Sequence, residues 1–112
     1  MNIEFLIIDY LNEALTVPAY GEVPKTPPES FVVVEKTSGG ERDRIRSATL
    51  AIQSYAATKA QTATLNESVI EVMRGAIGLD EICACRLNSD YNFTDTAKHQ
   101  YRYQAVFNIF YY

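Results

Sequence analysis

The final segment, Tyr101 to Tyr112 (YRYQAVFNIFYY), constrains the rest of the chain more than any other stretch. Its odd positions, Tyr101, Tyr103, Ala105, Phe107, Ile109 and Tyr111, form one continuous apolar face, the period-two mark of a strand laid on a core. Its even positions start polar, with Arg102, Gln104 and Asn108, yet include Val106, Phe110 and Tyr112. A strand that is apolar on both faces is covered on both sides. The pattern predicts a strand from about His99 to Tyr112 whose second face needs helices, or another subunit, over it.

The upstream segments supply the first of those covers. Ile3, Leu6, Ile7, Tyr10, Leu11, Ala14 and Leu15 recur at helical spacing and predict an amphipathic helix over 3–16, with Asn2 as N-cap, Glu4 at the positive end of the dipole and Pro18 as its stop. All four prolines, Pro18, Pro24, Pro27 and Pro28, fall in 18–30, an extended connection with room for a short strand near 20–23. Phe31 to Lys36 reads as a strand, Thr37-Ser38-Gly39-Gly40 as turn chemistry, and Arg44 to Tyr55 as a second strand, giving a long hairpin whose tip carries Glu41, Arg42, Asp43, Arg44 and Arg46. A second helix over about 58–76 opens with capping-box spacing at Thr58/Gln61 or Thr64/Glu67, and it buries Leu65, Val69, Val72, Met73, Ala76 and Ile77. A further strand places Leu79, Cys83, Cys85, Leu87, Tyr91 and Phe93 on one face, before a turn at 94–98.

The order is therefore helix, hairpin, helix, hairpin. The expected fold is two-layer α+β in a single domain spanning 1–112, an antiparallel sheet with both helices on one face. With 112 residues, 47% of them hydrophobic, the chain can bury one core, and 21% charged residues are too few to suggest disorder. A net charge of −4 argues against nucleic acid and against anionic membrane surfaces. The apolar runs at Phe5–Ile8 and Phe31–Val34 are too short to span a bilayer, and Met1-Asn2-Ile3-Glu4 lacks the basic start of a secretory signal. A reducing cytoplasm is the expected setting for Cys83 and Cys85.

No residue set points to catalysis. His99, the sole histidine, reads as a solvated strand-end side chain rather than a general base or metal ligand. Cys83 and Cys85 read as small buried hydrophobes, since a nucleophilic or ligating role needs partners the sequence does not place nearby. Asp80, Glu81, Asp90 and Asp95 read as solvated caps. Gly39-Gly40 lacks the spacing of a phosphate cradle. The expectation is a protein that is no enzyme and needs no cofactor or metal. Arg42, Arg44 and Arg46 admit two readings, a solvated mixed-charge loop that protects an edge, or a contact with a neighbouring subunit or acidic partner.

The leading helix, the Pro-rich crossover, the long hairpin, the second helix and the closing YRYQAVFNIFYY together resemble the tail-terminator or tail-completion proteins of long-tailed bacteriophages, including the head-to-tail joining proteins of similar fold. The resemblance spans nearly the whole chain and lies in element order, for the family has no catalytic motif. It implies a subunit of a homo-oligomeric, hexameric ring in the virion neck, assembled in the host cytoplasm of a phage or prophage. Its implied partners are the tail-tube protein and the head-completion or connector protein. From the residues themselves, the expected subunit contacts are Gly39, Gly40, Arg42, Arg44 and Arg46 on one side, with Val106, Phe110 and Tyr112 serving the other side or the tail tube. The alternatives are a head-side neck protein of the same fold or a dimeric, non-enzymatic α+β ligand-binding module.

Overall fold

A computed structural model describes residues Met1–Tyr112. The elements are α1 (Ile3–Ala14), β1 (Ala19–Tyr20), β2 (Phe31–Arg42), β3 (Ile45–Tyr55), α2 (Lys59–Arg74), a 3-10 turn (Gly75–Gly78), β4 (Ile82–Asn92) and β5 (Arg102–Tyr111). The fold is α+β, with two helices against one five-stranded sheet in the order β1-β2-β3-β5-β4. The closing strand β5 is thus interior, paired antiparallel with β3 from Arg46↔Tyr111 to Tyr55↔Arg102 and with β4 on its other side. Because β3 and β4 both run antiparallel to β5, α2 links two parallel strands with a third between them. That crossover forces the helix over a sheet face.

α1 begins where the Asn2 side chain accepts a hydrogen bond from the Phe5 N–H at 3.2 Å. The Glu4 carboxylate accepts from the Lys36 N–H at 2.9 Å, so the helix start also caps an otherwise open donor on the edge of β2. Ile3, Ile7 and Leu11 are its buried stripe. At the far end Asn12 clamps Ala19 both ways, its amide donating to the Ala19 carbonyl at 3.1 Å and its oxygen accepting from the Ala19 N–H at 2.8 Å. This pins β1 where it pairs with Val32 and Val33. That pairing is parallel, so the sheet is mixed rather than wholly antiparallel as expected.

The hairpin differs from expectation at its tip. β2 continues through Gly39 and Gly40, which pair with Ala48 and Ser47, and the loop is only Asp43-Arg44. Both of these residues have positive φ, 53° and 66°, the type I′ geometry whose twist suits a two-residue hairpin. Glycine needs no unusual φ at 39 or 40. At Gly39 a Cβ would sit 2.7 Å from Cε of Lys36, whose side chain lies over it.

One cluster of 18 buried residues joins every element, with Val34, Leu50, Ile52, Phe107, Ile109 and Tyr111 from the sheet meeting Ile7, Leu11, Val69 and Met73 from the helices. α2 is capped by the Thr58 hydroxyl, which accepts from the Gln61 N–H. Its buried face carries Thr62, Asn66 and Ile70 besides Val69 and Met73, while Ile77, expected inside, is 52% exposed. The 3-10 turn rotates the chain after Arg74 and carries Ile77 off the helical stripe. The Tyr10 hydroxyl donates to the Val72 carbonyl at 2.6 Å and ties the two helices together, and a Cβ on Gly75 would meet that hydroxyl at 2.7 Å.

Two predictions follow from this packing. Tyr10→Phe should cost about 1 kcal/mol in denaturant unfolding, and Gly75→Ala should cost more in the native chain than in the Tyr10→Phe background, because the clash is with the hydroxyl. The Ser54 hydroxyl is fully buried without a partner, so Ser54→Ala should be neutral or stabilising by up to ~1 kcal/mol in the same assay.

Candidate interaction surface on the open sheet face

Both helices lie on one side of the sheet, which leaves the other side to the chain's own strand residues. Cross-strand register orders that open face into rows. One row is Phe31, Tyr55 and Arg102; the next is Val33, Gln53, Gln104 and Tyr91; then Glu35, Ala51, Val106 and Ser89; then Ser38, Thr49, Asn108 and Arg86; and last Gly40, Ser47, Phe110 and Ala84.

The first two rows are knitted together. The Phe31 and Tyr55 rings stack at 4.5 Å and, with Tyr20, cover Val33. The Tyr55 hydroxyl donates to Gln53, the Gln53 amide donates to the Gln104 oxygen at 2.9 Å, and the Gln104 amide donates to the Tyr91 hydroxyl, a one-directional chain across β3, β5 and β4. Arg102 donates to the Phe93 carbonyl at 2.7 Å and lies over the Phe93 ring at 4.3 Å. Polar strand residues that look solvent-facing in sequence here serve each other, so Gln104 is buried despite having no helix above it.

The last two rows are more open: in the fourth the Thr49 hydroxyl donates to the Asn108 side-chain oxygen at 3.3 Å, and the fifth has no side-chain hydrogen bond. Phe110 is 40% exposed and rises between two shallow recesses. One, of about 400 Å³, is lined by residues including Ser38, Gly39, Thr49, Arg86 and Asn108; the other, of about 360 Å³, by residues including Arg42, Asp43, Ile45 and Ser47. Gly40, Ser47 and Ala84 share the Phe110 row, so small side chains surround one large ring.

This geometry sorts the contact residues expected from sequence. Gly39, Arg42 and Phe110 come together around the recesses, and Gly40 shares the Phe110 row through Ser47. Arg46 does not join them. It pairs with Tyr111 on the helix side, its guanidinium 5.1 Å from that ring. Arg44 sits at the turn itself, so strand alternation divides the three arginines. Val106 is half-buried between Ala51 and Ser89, and Tyr112, 68% exposed, lies past the end of β5 with its N–H donated to the Glu81 carbonyl. Arg86 was not expected here. Its place depends on a bulge between Ile82 and Ala84, and a second between Leu87 and Ser89 puts Tyr91 on the open face while Cys85 and Leu87 stay on the helix side. The single face expected for Leu79, Cys83, Cys85, Leu87, Tyr91 and Phe93 is therefore broken in two. No sequence signal marks these bulges.

Cys85 packs against the core, and burial pushes its thiol up to about 11. The Tyr10 phenol is raised, first by burial and then by Cys85, and the Tyr112 phenol is raised chiefly by a hydrogen bond with Cys83. His99 is exposed in a turn with φ 51°, within the 95–100 loop that the Asp95 carboxylate caps through the Ala97 and Lys98 N–H groups. No three His, Cys, Asp or Glu side chains are gathered to hold a metal ion, and no helix is long and apolar enough to cross a membrane.

Two measurements check this description. The folded state holds the Cys85 proton more tightly than the unfolded chain, so its contribution to stability is complete below pH 9 and is lost as pH rises towards about 11. At pH 8 a thiol reagent should accordingly label Cys85 at least about tenfold more slowly in the native than in the urea-unfolded chain. At the turn, Arg44→Gly should raise stability by roughly 0.5–1 kcal/mol, because glycine takes the positive φ without a Cβ penalty.

Comparison with protein-family models gives no match, and comparison with curated protein sequences gives none.

Proposed function

We propose that this chain is a structural, non-enzymatic subunit of a homo-oligomeric ring, of the kind that terminates or completes the tail of a long-tailed bacteriophage and joins it to the head connector. The observation that carries the reading is the bare end of the open sheet face. There a half-exposed Phe110 stands among Gly40, Ser47 and Ala84 on an interior strand, where a soluble monomer would ordinarily place polar side chains. A large aromatic ring with small neighbours and an arginine at its rim has the composition of a protein–protein contact.

The hairpin supports the same reading. β2 is exposed from Glu35 to Arg42, its outer edge is covered by β1 only at Val32 and Val33, and the molecule is 44 Å long against 25 Å in its other dimensions. A projecting arm of this kind can reach a neighbour in a cyclic assembly, where each contact joins two different patches. In this reading the ring is a hexamer in the virion neck, assembled in the host cytoplasm, with the tail-tube protein on one side and the connector on the other.

Native mass spectrometry and negative-stain microscopy over a concentration series test it. Closed rings are expected; a stable dimer that binds a small molecule saturably would overturn the reading in favour of a ligand-binding module. Arg42→Glu with Arg44→Glu should weaken assembly about tenfold or more if the tip is an assembly contact, and unchanged rings would remove the tip from the interface.

A further inference from the structure

The outer stripe of α1 and the larger recess of the open sheet face differ in charge. α1 carries three acids, Glu4, Asp9 and Glu13, and no base. Glu4 is engaged with the Lys36 N–H, but Asp9 and Glu13 are exposed and form no ion pair; the only one in the chain joins Arg74 to Glu71. They lie four and eight residues beyond Phe5, which is 65% exposed, so Phe5, Asp9 and Glu13 form one outward stripe with its back to the core stripe Ile3, Ile7 and Leu11. The open sheet face is mixed. Its rows hold Arg86 and Arg102 against Glu35, and the smaller recess beside Phe110 adds Arg42 together with Glu41 and Asp43. Arg102 is engaged with Phe93, and in the larger recess Arg86 is the one charged residue. An acidic stripe with an exposed aromatic ring, and a mainly polar recess that holds Arg86 beside the exposed Phe110, therefore point in opposite directions.

Resting on the ring reading above, we propose that the two are halves of one contact: the α1 stripe of one copy seats on the bare end of the open sheet face of the next. Phe5 enters the recess of about 400 Å³ beside Phe110, whose lining includes Arg86. Asp9 follows one helical turn on, about 6 Å along the axis. Arg86 stands two residues along and one strand across from Phe110, about 8 Å away at the backbone, so its side chain reaches that carboxylate. Glu13 extends the negative potential towards the same side. Such a pairing desolvates two rings and joins charges that have no partner within the chain. Because the stripe and the recess lie on opposite sides of the sheet, the contact cannot be self-complementary. It is head-to-tail, the kind that closes into a ring when the rotation per subunit allows.

Charge reversal with rescue tests the proposal. Asp9→Lys with Glu13→Lys, and separately Arg86→Glu, should each raise the dissociation constant for self-association about tenfold or more while leaving circular dichroism and thermal midpoint near native, since all three side chains are exposed. The chain carrying all three substitutions should recover assembly, because a positive helix stripe then meets a negative sheet face. Phe5→Ser should weaken assembly independently of salt, whereas native assembly should weaken as salt rises. If the native chain assembles and the single-patch variants assemble equally well, or the combined variant fails to recover, this contact is wrong and the ring reading stands. If the native chain stays monomeric at every concentration, both fall.

Discussion

The structure depends on β5 being an interior strand. Ten residues, Arg102 to Tyr111, are hydrogen-bonded to β3 on one side and to β4 on the other, so the last element joins two halves that are separate along the chain. Phe107, Ile109 and Tyr111 then reach the centre of the core, where Ile7, Leu11, Val69 and Met73 meet them. Without β5, the β2–β3 hairpin and β4 would each present an unpaired edge and α2 would cross over nothing. Long-range pairing of this sort is entropically expensive to close, and burial of large side chains from both neighbouring strands and both helices offsets it.

The same placement makes the two faces of the sheet unlike. One is filled by helices. The other is completed only in part, by the Phe31–Tyr55 stack and by the chain of hydrogen bonds from Tyr55 through Gln53 and Gln104 to Tyr91. Towards Phe110 only the Thr49–Asn108 hydrogen bond carries on, and Ser47, Gly40 and Ala84 are too small to cover a ring. The outer stripe of α1 is acidic, whereas Arg86 is the one charged residue in the larger recess of the open face.

Much of this was legible in the residues. Asn2 and Thr58 cap the helices they were expected to cap, Pro18 follows the first one, and the β-branched run at Phe31 and the period-two run at Tyr103 are strands. Local rules suffice there, since a cap or an alternation is decided within a few residues. The candidate surface was legible only in outline. Phe110 was identified from strand parity, but its neighbours were not, because they come from β2, β3 and β4 through registers that no local pattern encodes. The three arginines at 42, 44 and 46 look like one cluster in sequence and are separated by alternation about a two-residue turn that lies further along than Gly39-Gly40 suggested.

By itself, then, the amino-acid sequence determined the elements, their order and the two-layer class, because periodicity, capping and proline placement act over short distances. It also determined that β5 would be apolar on more than one face. Which residues share a surface was decided only by tertiary structure. Two bulges in β4 shift its side chains between faces, the Asn12 clamp sets β1 parallel to β2, and the interior position of β5 places Phe110 between Ser47 and Ala84. The physical reason is common to all three. Side-chain direction in a sheet inverts with each residue of register, and register is set by contacts between segments distant in the chain.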